Sequence, residues 1–179
     1  ADRVNLVVVA DHGMTAVSAD RVIYLDDYLD LSAMQVIDWM PVTGIAPRPG
    51  EEDAVVARLR GVHPHLAVYR REQVPARFRY NAHPRIPPVV LIADEGWTIG
   101  SRARIQLTGP PRGGAHGYDN QLPSMGALFV AAGPGLARGR VLPPFASVHV
   151  YPLLAHLLGI VPAPSDGALD SVRTALRGR

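Results

Sequence analysis

Two short constellations combine residue types that can do metal chemistry. The first is Asp11-His12-Gly13-Met14, which directly follows the Val-rich run Val7-Val8-Val9-Ala10. A carboxylate beside an imidazole is a donor set that suits Zn²⁺. Neighbouring strand residues point to opposite faces, so Asp11 and His12 can share one ion only where the strand ends and the backbone turns. Gly13 is expected to supply that turn, because glycine tolerates unusual dihedral angles. Alone, Asp-His after a strand also suits a helix cap and a surface histidine. The second constellation is Gly114-Ala115-His116-Gly117-Tyr118-Asp119-Asn120. His116 lies between small residues, where the backbone can approach a ligand closely. Asp119 could orient His116 from behind, or could bond its own backbone in an Asx turn.

Other polar residues carry weaker patterns. His63 and His65 flank Pro64 in a His-x-His spacing, and a surface loop explains them equally. His83 reads as part of a turn. His149 and His156 sit on a predicted helix and read as helix-face residues. Trp97 reads as a packed hairpin residue or a stacking platform. Ser18, Ser101 and Thr108 lack the setting of a nucleophile elbow. No phosphate-binding loop or dinucleotide fingerprint is present.

The elements that must position these residues alternate between strand and helix patterns. Val4 to Ala10 reads as a buried parallel strand, from its length and β-branching. Val22 to Leu25, Gln35 to Met40, Leu66 to Tyr69, Pro88 to Ala93 and Ala127 to Ala132 read as further strands. Glu51 to Arg60 reads as a helix, with acids in its first turn and Arg58 and Arg60 near its end. Val148 to Leu158 carries apolar residues at helical spacing and stops at Gly159. Asp170 to Leu176 reads as a terminal helix. In open α/β sheets, sites gather at the carboxyl ends of strands, which is where Asp11 falls.

Composition narrows the function. The 179 residues suffice for one domain with a core. A 47% hydrophobic and 19% charged make-up is globular. All eighteen basic residues are arginine, scattered along the chain with only Arg70 and Arg71 adjacent. That scatter argues against a nucleic-acid surface, which needs a basic patch, and fits biased codon usage. With no cysteine, disulfides, thiolate ligands and a cysteine nucleophile are excluded. No apolar run approaches the roughly 20 residues of a membrane span.

Together the two constellations resemble the metal-ligand motifs of the nucleotide pyrophosphatase/phosphodiesterase family, within the alkaline phosphatase superfamily. Residues 7 to 14 resemble its strand-plus-ligand motif, and His116-Gly117-Tyr118-Asp119-Asn120 its second ligand motif. The stretches Arg21 to Leu29, Arg85 to Ile99, Met125 to Pro134 and Val148 to Gly167 resemble the segments around them, in order.

The resemblance implies an α/β fold: part of an alkaline-phosphatase-like mixed sheet flanked by helices, with a small α/β subdomain inserted at residues 33–105. It implies an enzyme holding two Zn²⁺, with Asp11 and His12 on the ion that activates the nucleophile and His116 on the other. Asp119 would stand behind the ligands. The family's threonine nucleophile and remaining ligands lie upstream of the Asp-His motif, and ten residues precede Asp11. The whole chain, 1–179, is therefore expected to be the C-terminal part of one catalytic domain, inactive alone, whose partners are the missing N-terminal half and a nucleotide or other phosphodiester. Export to the periplasm or exterior is implied as well. A phosphonoacetate hydrolase, a phospholipase C-type relative, and a non-catalytic metal-binding α/β module are the alternatives.

Overall fold

A computed structural model describes residues 3–178. It has the mixed α/β architecture expected, divided into two compact units: residues 12–126, and residues 3–11 with 127–178.

Along the chain the elements are β1 (Leu6–Val9), β2 (Thr15–Ala16), β3 (Val22–Tyr24), β4 (Gln35–Ile37), β5 (Val42–Ala46), α1 (Glu52–Leu59), β6 (Leu66–Arg70), β7 (Val89–Ala93), β8 (Thr98–Gly100), α2 (Arg102–Thr108), β9 (Gly114–Ala115), β10 (Phe129–Ala132) and α3 (Val150–Leu158). Short 3₁₀ turns join several of them.

The unit of residues 12–126 is built on an antiparallel sheet in the order β4-β5-β7-β6. β7 is its centre. Val89, Val90 and Leu91 are fully buried there, because a strand paired on both sides and covered on both faces has no solvent side. α1 lays Val55, Val56 and Leu59 onto one face, joining Ile45, Val68, Leu91, Ile23 and Ile99 in the main core. Val74, Ile86 and Val90 form a smaller core, with Phe78 packed against it. β3 pairs parallel with β8. α2 starts at Ser101, whose hydroxyl accepts from the Arg104 amide, an N-cap that satisfies one free amide of the first turn. Asp26 accepts from the Arg102 amide at the same end.

The second unit holds β1, β10, α3 and a C-terminal 3₁₀ helix, Leu169–Ala175. β1 was expected to be buried and parallel; it pairs antiparallel with β10. Leu6 is 61%, Val8 45% and Val130 52% exposed. The register Leu6↔Ala132 and Val8↔Val130 puts these apolar side chains on one face, so their hydrophobicity is not spent within this chain. α3 ends at Gly159, in the left-handed conformation, as a glycine stop should. Pro152, Leu153 and Ala155 of α3 are buried, as are Val172 and Ala175 of the 3₁₀ helix. The predicted terminal helix thus forms with the tighter turn. Asn5 Oδ1 accepts from the Gly135 amide at 2.9 Å and ties the start of β1 to the loop after β10.

Candidate metal centre

Two strands of two residues bring the distant ligand motifs together. β2 and β9 pair antiparallel, with Thr15 opposite Ala115 and Ala16 opposite Gly114. His12 lies just before the first and His116 just after the second. Their half-buried rings stack, with centroids 3.8 Å apart and planes 14° from parallel.

His12 is held by its own backbone. Its Nδ1 lies 2.8 Å from the Gly13 carbonyl oxygen. A carbonyl can only accept, so Nδ1 carries a proton, which leaves Nε2 as the nitrogen able to present a lone pair to a metal. Metal-bound histidines are oriented in this manner by a carbonyl behind them.

Gly13 has a role different from the expected one. Its φ is not in the left-handed region. A Cβ there would fall 2.0 Å from the Ser124 carbonyl oxygen and 2.7 Å from that of Gly126. The Gly13 amide also donates to the Met125 carbonyl at 3.0 Å. Close backbone approach, rather than unusual dihedral angles, calls for glycine.

The loop after His116 is tied down on its C-terminal side. Tyr118 is buried and its hydroxyl donates to the Trp97 carbonyl at 3.0 Å. Burial pushes the Tyr118 pKa up, which keeps the hydroxyl a donor. Asp119 takes two bonds from Arg77, at 2.6 and 2.5 Å. It also accepts from the Gln121 amide at 3.0 Å, which is the Asx-turn geometry. The hydrogen bond from Arg77 holds the Asp119 carboxyl below its ordinary value. The described bonds of Asp119 thus run to Arg77 and Gln121.

Sequence reasoning missed three residues around this site. Arg77 is one. Glu95 and Ser124 are the others: the Ser124 hydroxyl donates to Glu95 at 2.5 Å, which lowers the Glu95 pKa and steadies the residue whose carbonyl packs on Gly13. No local pattern announces these pairings, because each joins segments about thirty or more positions apart.

As a donor set the residues fit metal ions in kind but do not complete a site. Structural and catalytic zinc sites take three or four protein ligands. Among the described residues no group of three or more histidine, aspartate or glutamate side chains is placed to hold one ion. His12 and His116 are together, and Asp11 adjoins His12 through the peptide bond. His63 and His65 gather instead around Trp97. The His65 ring stacks on it at 4.3 Å and His63 meets it edge-on at 4.8 Å.

Known proteins resemble this chain in sequence and fold. The sequence model described as type I phosphodiesterase / nucleotide pyrophosphatase matches residues 1–119. A bovine (Bos taurus) bis(5'-adenosyl)-triphosphatase is 40% identical over 176 residues, covering 98% of this chain and 37% of that protein. Human ectonucleotide pyrophosphatase/phosphodiesterase family member 5 is 40% identical over 172 residues, 96% of this chain and 35% of that protein. A structure of murine ectonucleotide pyrophosphatase/phosphodiesterase 5, an inactive threonine-to-alanine form in complex with AMP, superposes with a TM-score of 0.91 at 40% identity. It covers 98% of this chain and 46% of that one. The chain therefore spans less than half the length of the relatives it matches.

Proposed function

The chain belongs to the type I phosphodiesterase / nucleotide pyrophosphatase family, and on that premise we propose that it is the C-terminal part of a zinc-dependent hydrolase of phosphodiester or pyrophosphate bonds. The observation that carries the proposal is the stacked pair of His12 and His116, two imidazoles from motifs far apart in sequence.

In this reading Asp11 and His12 hold one ion and His116 the other. Bound there, the two Zn²⁺ supply charge that stabilises the entering and leaving oxygens of an in-line displacement at phosphorus. His12 offers Nε2 because the Gly13 carbonyl fixes its tautomer. The Tyr118 and Asp119 anchors hold His116 in register. Asp119 therefore acts behind the loop, not by touching the His116 ring. The nucleophile is a threonine of the N-terminal region, which forms a phospho-threonine; the inactive threonine-to-alanine relative supports this.

The same relatives favour nucleotides as substrates, and their "ecto" names support a periplasmic or secreted location. The N-terminal half completes both ion sites and covers the apolar faces of β1 and β10. Residues 33–105, with the four-stranded sheet, form the inserted subdomain. Among the described residues, no helix is long and apolar enough to cross a membrane.

The test is an assay with zinc on bis-p-nitrophenyl phosphate and p-nitrophenyl phosphate, for the chain alone and for the chain extended by the N-terminal region. The extended protein should prefer the diester and lose turnover to a chelator, while the chain alone stays inactive. No diester turnover by the folded extended protein overturns the activity. Robust turnover by the chain alone overturns the division of labour.

A further inference from the structure

Gly117 separates His116 from the anchors that follow it. Its φ is +92° and nothing lies within 4 Å of where its side chain would be. The pairing of β9 with β2 fixes the chain on the N-terminal side of His116, and what grips residues 118 and 119 fixes it on the other side. Tyr118 gives one hydrogen bond. The other grip is Arg77, forty-two positions upstream, which makes a two-pronged contact with Asp119 and reaches the Asn120 side chain at 3.4 Å.

Arg77 is itself held in place. Its guanidinium lies 4.0 Å from the centre of the Phe78 ring, and Phe78 packs on the small core of Val74, Ile86 and Val90. A chain of contacts thus runs from β7, through Phe78 and Arg77, to Asp119 and the His116 loop. The pair is about one-third exposed at each end, so water screens it and its share of global stability is small. A planar fork on a carboxylate, however, fixes direction as well as distance. Its geometry serves orientation better than stability.

We propose that Arg77 is a positioning residue for the metal centre: through Asp119 it sets the His116 ring against His12. The proposal rests on the reading of His116 as a metal ligand, and the test separates the two. In metal-free protein, magnetisation transfer between the two imidazoles reports their stacking. Zinc titration, with zinc alone as the probe, reports affinity and which ring signals shift. Arg77→Gln should abolish the ring-to-ring signal and weaken zinc binding about ten- to a hundredfold, the usual loss when a group that orients a ligand from behind is removed. Arg77→Lys, a point charge without the fork, should recover only part. The exchanged pair Arg77→Asp with Asp119→Arg should recover more than either single change.

Intact ring-to-ring contact and unchanged zinc affinity in Arg77→Gln overturn the proposal. If Arg77→Gln fails to fold, the exchanged pair decides: restored stacking supports the role, and absent stacking in a folded exchanged pair overturns it. Zinc that binds the unaltered protein without shifting His116 signals defeats the metal reading, while the metal-free stacking still judges Arg77.

Discussion

At the scale of single residues, the close packing of backbone on backbone around Gly13 sets the least tolerant position. A methyl group there meets the Ser124 carbonyl oxygen at 2.0 Å, and backbone cannot swing aside as a side chain can. Gly13→Ala should cost about 3 kcal/mol, the upper range for overpacking, and should separate the His12 and His116 rings. Gly117→Ala faces open space and pays only for its positive φ, about 1–2 kcal/mol. Thermal unfolding of the two variants checks the order; equal losses would contradict it. The ligand types were legible in the sequence because Asp-His and His-Gly-Tyr-Asp-Asn are local strings. The reason for Gly13 was not, since the clash comes from residues more than a hundred positions away. The grip of Arg77 on Asp119 was hidden for the same reason.

At the scale of elements, the sheet and its helix were readable where hydrophobic period and caps agreed. Glu51 to Arg60 forms α1 over Glu52–Leu59, and its apolar face sits where the spacing puts it. Leu59 is fully buried, so Leu59→Ala should cost about 2–5 kcal/mol, measured by denaturant unfolding; a loss below 1 kcal/mol would contradict the packing. α2 escaped notice because its two turns, Arg102–Thr108, bury no residue and show no apolar face. β5 was missed inside Val42–Ala46, where Gly44 interrupts the β-branched run of Val42, Thr43 and Ile45. The turn that carries Trp97 is expected to be pH-sensitive. Burial, then the nearby His65, lowers the His63 pKa, against a smaller opposing effect of Asp94. A folded-state pKa below the ordinary histidine value of about 6.5 means that the unfolded chain binds more protons between the two. Stability therefore rises with pH in that window and falls as pH drops through the folded-state value. In a Trp39→Phe background, Trp97 fluorescence should change as pH falls below about 6.5. The change should disappear in His63→Gln with His65→Gln. A response that persists without both histidines would contradict the assignment.

At the scale of the whole molecule, the apolar ribbon of β1 and β10 is the feature most at odds with a chain acting alone. A two-stranded sheet is marginal in water, and Leu6, Val8 and Val130 lie open on one face. The β-branched run was correctly legible as a strand. Its parallel, buried character was not realised, because burial depends on what covers it. Val8→Asp should change the stability of the chain alone by no more than about 0.5 kcal/mol, as on a surface. In the extended protein it should cost about 3 kcal/mol or more, as an unpaired buried charge does. Equal small effects in both would remove the N-terminal region from this face. The central claim, however, is that this chain supplies ligands to a two-ion hydrolase, and zinc content of the extended protein with and without His116 tests it most directly. His116→Ala is predicted to lose one zinc per chain and about a thousandfold in diester turnover, the worth of several kcal/mol of metal stabilisation. Unchanged zinc content and unchanged turnover in that variant would contradict the account.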